Sequence, residues 1–86
     1  MNSYRLIIST PDGSAFDGDT VALVVRGTEG ELAIMAGHIP FVTAVREGDC
    51  RIELPDEKDK TAEIGGGILT VASDKTTLLC SKFNWK

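Results

Sequence analysis

The residues of this chain that could do chemistry gather in one stretch, EGELAIMAGHIP, residues 29–40. Glu29 and Glu31 flank Gly30, and the single histidine, His38, stands just before Ile39 and Pro40. On an extended strand, residues i and i+2 share a face, so the two carboxylates could serve acid–base work or hold a cation. Calcium wants six or more oxygens, so two acids alone make a weak site. A third reading is an acidic tip that meets a basic partner, where complementary charge sets register and on-rate. His38 could be a general base, but it would need a nucleophile or an orienting acid within hydrogen-bond reach. Ser9, Ser14, Ser73 and Ser81 are present, and none lies in a nucleophile elbow such as GxSxG. A lone loop histidine without a visible triad partner reads more readily as structural or as an interface contact.

Two further patterns invite chemistry and do not support it. Gly65, Gly66 and Gly67 are followed by Ile68, Leu69 and Thr70, a continuing strand. A phosphate loop needs GK[ST] opening a helix, so the glycines are expected to mark a bulge or a close backbone approach. Cys50 and Cys80 are dispersed, and with one histidine they supply no zinc motif. In a cytosol-like chain such cysteines are expected to be small buried hydrophobes rather than a disulfide.

Size and charge narrow the classes. With 86 residues the expected organisation is one domain, residues 1–86. A domain of this size buries only roughly 60–65% of its unfolded surface, so a partner could add to its stability. The net charge of −4, with Lys and Arg scattered, argues against nucleic-acid binding and against an anionic lipid surface. No apolar run reaches the ~18 residues of a membrane span, and the N-terminus lacks the long apolar region of a signal peptide. The expected place is the cytosol, or a membrane reached through something else.

The elements that must position the 29–40 stretch are strands. No long i, i+3, i+4, i+7 stripe occurs, and glycine separates short runs rich in Val, Ile, Leu and Thr. Strands are expected over residues 4–9, 14–17, 20–27, 31–35, 41–48 and 50–54, then through TAEIGG, GILTVAS and TTLLCS. Turns are expected at 11–13, 17–19, 28–30 and 73–75, and 55–60 reads as a charged, solvated tip. Eight to ten short strands at this spacing predict an all-β fold, a compact sandwich or flattened barrel. The residues alone lead to a small acidic β-domain without catalytic machinery, a binding or structural module.

The order of motifs goes further. Pro11, Gly13, Phe16 and Gly18 form an opening pattern. Gly27, Gly30, Glu31, Ile34, Gly37, His38, Pro40, Thr43 and Ala44 form a central one, and Gly66, Gly67, Leu69 and Val71 a late one. In this order and register the chain strongly resembles the N-terminal β-sandwich of the epsilon subunit of F-type ATP synthases, whose mitochondrial counterpart is called delta. Ala33 and Ala36 depart from the glycine and proline usual in the family, and both are small. The family continues into a helical hairpin that can inhibit ATP hydrolysis and, in some members, bind ATP. The sequence ends at Lys86, so the hairpin is expected to be absent. Either the natural subunit is short, as in some lineages, or the chain has been trimmed.

The resemblance implies a non-catalytic rotor subunit of a proton-translocating synthase, with no cofactor. It would link the gamma subunit to the polar loops of the membrane c-ring, beside the other head subunits. Its place would be the cytoplasmic face of the plasma membrane, held there only through the complex. By position, Glu29, Gly30 and Glu31 would face the c-ring, and Ser9, Thr10, His38 and Thr43 would face gamma. The weak alternation of residues 20–27 would then reflect burial against gamma as well as core. Two rivals stand beside this reading: a free-standing β-sandwich adaptor, and a small hydrolase or lyase that pairs His38 with Glu31.

Overall fold

The computed structural model describes residues 2–86. These form ten strands and, among the described residues, no helix. The strands are β1 (Tyr4–Thr10), β2 (Gly13–Thr20), β3 (Ala22–Gly27), β4 (Gly30–Met35), β5 (Phe41–Val45), β6 (Gly48–Glu53), β7 (Lys60–Ile64), β8 (Gly67–Val71), β9 (Lys75–Cys80) and β10 (Phe83–Trp85).

The strands lie in two layers of five, in the orders β2-β1-β9-β8-β5 and β4-β3-β6-β7-β10. All neighbours are antiparallel except β1 and β9, which run parallel. The layers join along one side where Gly27 of β3 pairs with Val45 of β5. On the other side the edge strands β2 and β10 meet through side chains. The Phe16 ring stands edge-on to Trp85 with centroids 6.3 Å apart, and Phe83 stands edge-on to Trp85 at 4.7 Å. The result is a nearly closed, flattened barrel, as the strand spacing predicts.

Alternation along each strand fills the interior. Leu6, Ile8, Leu69, Val71, Leu78 and Cys80 come from one layer, and Leu23, Val25, Ile34, Cys50, Ile52 and Ile64 from the other. Both cysteines are free thiols buried as small core residues. On β3, residues Ala22, Leu23, Val24 and Val25 are all buried by this chain itself. Its weak alternation therefore needs no partner subunit, contrary to the expectation of burial against gamma.

The glycine trio is a corner. Ile64 faces Phe83 and Gly67 faces Cys80, so β7–β8 and β9–β10 form one ribbon in unbroken register. At residues 65–66 and 81–82 this ribbon folds from one layer to the other, a switch for which glycine is suited. Across the corner Gly65 N–H donates to Lys82 C=O at 3.1 Å, and Ser81 N–H to Gly66 C=O at 3.1 Å. A Cβ on Gly67 would overlap the Leu79 carbonyl oxygen and lie 2.8 Å from Cys80 Cα. The expected close backbone approach is thus present.

Two local expectations are corrected and one strand is added. Residues 17–19 do not turn; β2 runs through them, with Gly18 opposite Leu6 and Asp19 opposite Arg5. Pairing with β1 overrides the turn propensity of Asp-Gly-Asp, and the Arg5 guanidinium pairs with the Asp17 carboxylate at 2.9 Å. The strand expected over 41–48 stops at Val45, because residues 46–47 carry the chain from the layer of β5 to that of β6. The last residues pair with β7 as β10, an edge strand too short to stand out by periodicity.

The corner predicts an asymmetry between adjacent glycines. Gly67→Ala drives a methyl into backbone and is expected to cost about 3 kcal/mol or more. Gly66→Ala, whose Cβ would meet only the Val45 carbonyl at 3.4 Å, is expected to stay within about 1 kcal/mol. Urea denaturation of the two variants checks this, and equal losses would contradict the corner geometry.

Candidate functional site

The strand β4 separates the two ends of the 29–40 stretch. Glu29 lies in the tight turn between β3 and β4, and Gly30 and Glu31 open β4. Gly30 adopts φ 132°, a conformation that side chains resist, so glycine there permits the turn. All three are exposed. The tip is not uniformly acidic. Arg26 is the cross-strand partner of Glu31, and Arg46 N–H donates to Arg26 C=O at 2.8 Å.

At the far end of β4, residues 36–40 loop into β5. His38 N–H donates to Met35 C=O at 3.2 Å, which closes the turn through Gly37. The imidazole is exposed; its Nδ1 lies 2.8 Å from the Ile39 carbonyl oxygen, so Nδ1 carries the proton in that bond. Its ring rests against Phe41 with centroids 4.9 Å apart. A shallow cleft of about 260 Å³ lies beside it, lined in part by Tyr4, Met35, Pro40, Ser73 and Thr76. Among the described residues no hydrogen bond joins His38 to a serine or a carboxylate. Glu31 and His38 stand at opposite ends of a strand that spans about 17 Å. The hydrolase or lyase that pairs them is therefore excluded by geometry.

The other sequence-derived contact residues distribute along the layer that contains β5. Ser9 and Thr10 end β1 and stand at the tip end of the barrel, away from His38. Ser9 faces outward, in a row with Leu79, Ile68 and Ala44. Thr43 has the inward parity, level with Leu69, Leu78 and Ile8, and is half-buried. The outer face between these ends is apolar. Val42 is 65% exposed, Ile68 45% and Leu79 53%, and Ile39 in the His38 loop is 79% exposed. Thr70, Thr77 and Ile7 continue the row of Val42 across the sheet. Sequence reasoning did not single out this surface. The available signal was the apolar residue on both parities in GILTV and TTLLC.

The strongly displaced titratable groups are interior, not catalytic. The Tyr4 hydroxyl donates to Ile34 C=O at 2.6 Å, which ties the first layer to the second at the base of the His38 loop. Burial raises its pKa well above the usual tyrosine range, and the adjacent Leu23 backbone offsets part of that rise. Burial likewise pushes the Cys50 thiol up to about 12, with a smaller push from Cys80, and raises Cys80 itself. These thiols are poor nucleophiles at neutral pH. Among the described residues no trio of His, Cys, Asp or Glu could hold a metal ion, and no helix is long and apolar enough to cross a membrane.

Known proteins share this fold. The family described as "ATP synthase, Delta/Epsilon chain, beta-sandwich domain" matches residues 3–86. The sodium ion specific ATP synthase epsilon chain of Acetobacterium woodii is 41% identical over 83 residues, covering 96% of this chain and 62% of that protein. The ATP synthase epsilon chain of Alkalihalophilus pseudofirmus is 38% identical over 79 residues, 92% of this chain and 59% of that one. The chain thus spans less than two thirds of the length of these relatives. A chain of the Euglena gracilis mitochondrial ATP synthase OSCP/F1/c-ring structure has the same fold, with a TM-score of 0.90 at 21% identity. It is matched over 96% of this chain and 53% of its own length. A chain of the Tetrahymena thermophila mitochondrial ATP synthase central stalk/c-ring structure gives 0.79 at 18% identity, over 95% and 66%.

The buried hydroxyl and thiols set the alkaline limit of stability. Each is an acid whose folded pKa lies above its unfolded value, so its neutral form favours folding. That contribution is complete below the unfolded values, about 8.5 for thiols and 10 for tyrosine, and is lost as pH rises through the folded ones. The urea midpoint, followed by the fluorescence of the single tryptophan, is expected to fall steadily above about pH 8.5. Tyr4, the only tyrosine, should ionise in the folded chain only well above its usual pH, as read by phenolate absorbance. Ionisation near pH 10 in the folded protein would contradict its buried position.

Proposed function

The chain belongs to the delta/epsilon β-sandwich family of ATP synthases, and from that premise we propose that it is a non-catalytic subunit of the central stalk. In this reading residues 1–86 act as one domain that links gamma to the polar loops of the c-ring and couples ion flow to ATP synthesis. It sits among the head subunits at the cytoplasmic face of the plasma membrane and touches the bilayer only through the complex.

One observation carries the reading: exposed features of different chemistry occupy the two ends and one face of a closed, packed body. Glu29, Gly30 and Glu31 form a charged turn at one end, and the His38 loop closes the other. A close-packed interior transmits strain with little compliance, which suits a part that must pass torque. The apolar outer face with Val42, Ile68 and Leu79 fits gamma better than the polar contacts alone. It connects His38 at one end with Ser9 and Thr10 at the other, so one partner laid along it reaches all three. Thr43, with its inward parity, would support that face from below more than contact gamma directly.

The rival is a free-standing adaptor. It predicts that the chain never associates with gamma where the rest of the head assembles. In the rotor reading, Leu79→Asp on the exposed face should weaken gamma binding by about 2 kcal/mol or more, and His38→Ala by about 1–2 kcal/mol. Both should leave the urea midpoint nearly unchanged. Titration calorimetry with purified gamma measures this; wild-type affinity in both variants would sink the assignment of that face. Glu31→Lys should leave the domain folded and reduce ATP-driven ion pumping in reconstituted vesicles. Unchanged pumping would remove Glu31 from the ring contact.

A further inference from the structure

This inference rests on the c-ring contact of the rotor reading, in which Glu29 and Glu31 supply negative charge. We propose that the tip is two-signed: Arg26 and Arg46 form a carboxylate-accepting pair beside Glu31, fitted to a ring loop that carries an acidic side chain next to a basic one.

The register places the three charges side by side. Arg26 pairs with Glu31 across β3 and β4, and Gly27 with Val45 across β3 and β5. The hydrogen bond from Arg46 N–H to Arg26 C=O extends that second pairing by one residue, so Arg46 stands directly opposite Arg26. All three side chains are exposed. Like charges directly opposite one another on adjacent strands are destabilising, so an anion seated between the two guanidinium groups relieves a repulsion built into the fold.

The arginines are not already engaged. Among the described residues the ion pairs are Arg5–Asp17, Arg51–Glu53 and Lys86–Asp49, and neither Arg26 nor Arg46 enters one. Arg26 faces Glu31 across the sheet, yet its side chain is laid the other way, over Gly48. A Cβ added to Gly48 would meet Arg26 Nε at 3.4 Å and Cδ at 3.7 Å. The Arg26 side chain thus lies in van der Waals reach of position 48. A depression of about 340 Å³ lies among Arg26, Gly27, Thr28, Gly30, Glu31 and Arg46, and at exposed Gly30 a Cβ would meet nothing within 4 Å, so a partner backbone can come close there.

The chemistry of the pair selects the partner. Guanidinium forks take carboxylates in paired, directional hydrogen bonds, while Glu31 beside them takes a base. A loop with both signs in adjacent positions satisfies the whole row at once and is rejected in the wrong register by like charges. An anionic lipid surface satisfies only the arginines. Glu29, Glu31 and Glu47 flank them, and the net charge of −4 repels such a surface as a whole. The protein loop is therefore the favoured occupant.

The test uses the complex of this chain with gamma, bound to detergent-solubilised c-ring at low and at physiological ionic strength. The variants are Glu31→Gln and the double variant Arg26→Gln with Arg46→Gln, each checked for an unchanged urea midpoint. The double variant is expected to bind the ring about 10-fold more weakly, with a shallower salt dependence. Amidating the exposed carboxylates of the ring with a water-soluble carbodiimide and an amine should abolish the difference between the double variant and wild type. The loss from Glu31→Gln should persist on the amidated ring. If the double variant binds as wild type while Glu31→Gln is weakened, the arginine pair is wrong and the rotor reading stands. If the wild-type complex does not bind the ring, both fall. If the double variant loses affinity only for ring-free vesicles rich in phosphatidylglycerol, the partner is lipid and the proposal is overturned.

Discussion

The backbone crossing at the glycine corner is the contact on which the rest of the molecule depends. Two strands, β7–β8 and β9–β10, must leave one layer and enter the other without breaking their pairing. They can do so only if their main chains come closer than a side chain allows. The corner therefore needs glycine at Gly67, whose absent Cβ leaves room for the Leu79 carbonyl. Hydrogen bonds between Gly65 and Lys82 and between Ser81 and Gly66 keep the crossing satisfied as it bends. With the ribbon folded over, Ile64 of one layer and Leu69 and Cys80 of the other point into the same interior. Without it the two faces would have no common core.

A second crossing runs directly beside it: Val45 pairs with Gly67 and Gly48 with Ile64, so residues 46–47 change layers next to the glycine corner. β3 shares one edge between two partners: Ala22, Leu23 and Val24 pair with β6, and Gly27 with β5. Residues 46–47 carry the chain between them. The aromatic group of Phe16, Phe83 and Trp85 then brings together the edges that no hydrogen bond joins. Aromatic edge contacts add to area burial, and here they cover two strand edges that would otherwise be open to other chains.

How much of this was legible in the sequence depends on whether the signal was local. A strand with clear alternation, such as CRIEL, was readable because period 2 is imposed by the backbone itself. The glycine trio was readable as a bulge or a close approach, because glycine in a strand permits either. The course of residues 17–19 was not readable, since its strand state depends on β1 pairing and not on Asp-Gly-Asp. The split of 41–48 was equally hidden, because the place where a chain changes layers is a property of the whole barrel. Of the site, Glu29, Gly30, Glu31 and His38 stood out by residue type. The exposed face of Val42, Ile68 and Leu79 did not, because its residues look like core until the pairing shows which parity is outside.

The crossings that close the barrel also create its most distinctive chemistry. Arg46 is near Arg26 only because the chain changes layers at residues 46–47 and is hydrogen-bonded to β3 as it does so. Glu31 joins the row because the β3–β4 turn is tight enough to place it opposite Arg26. No local motif encodes the three charges as a group: the β3–β4 hairpin brings residues 26 and 31 together, and residue 46 joins them through the layer crossing. The same closure places the His38 loop at the far end of β4, tied down by the Tyr4 hydroxyl bond to Ile34. A body of this kind cannot move one end without moving the other, since both hang from one packed interior. That mechanical identity of the two ends, rather than any single side chain, is what the proposed role of a torque-bearing connector requires.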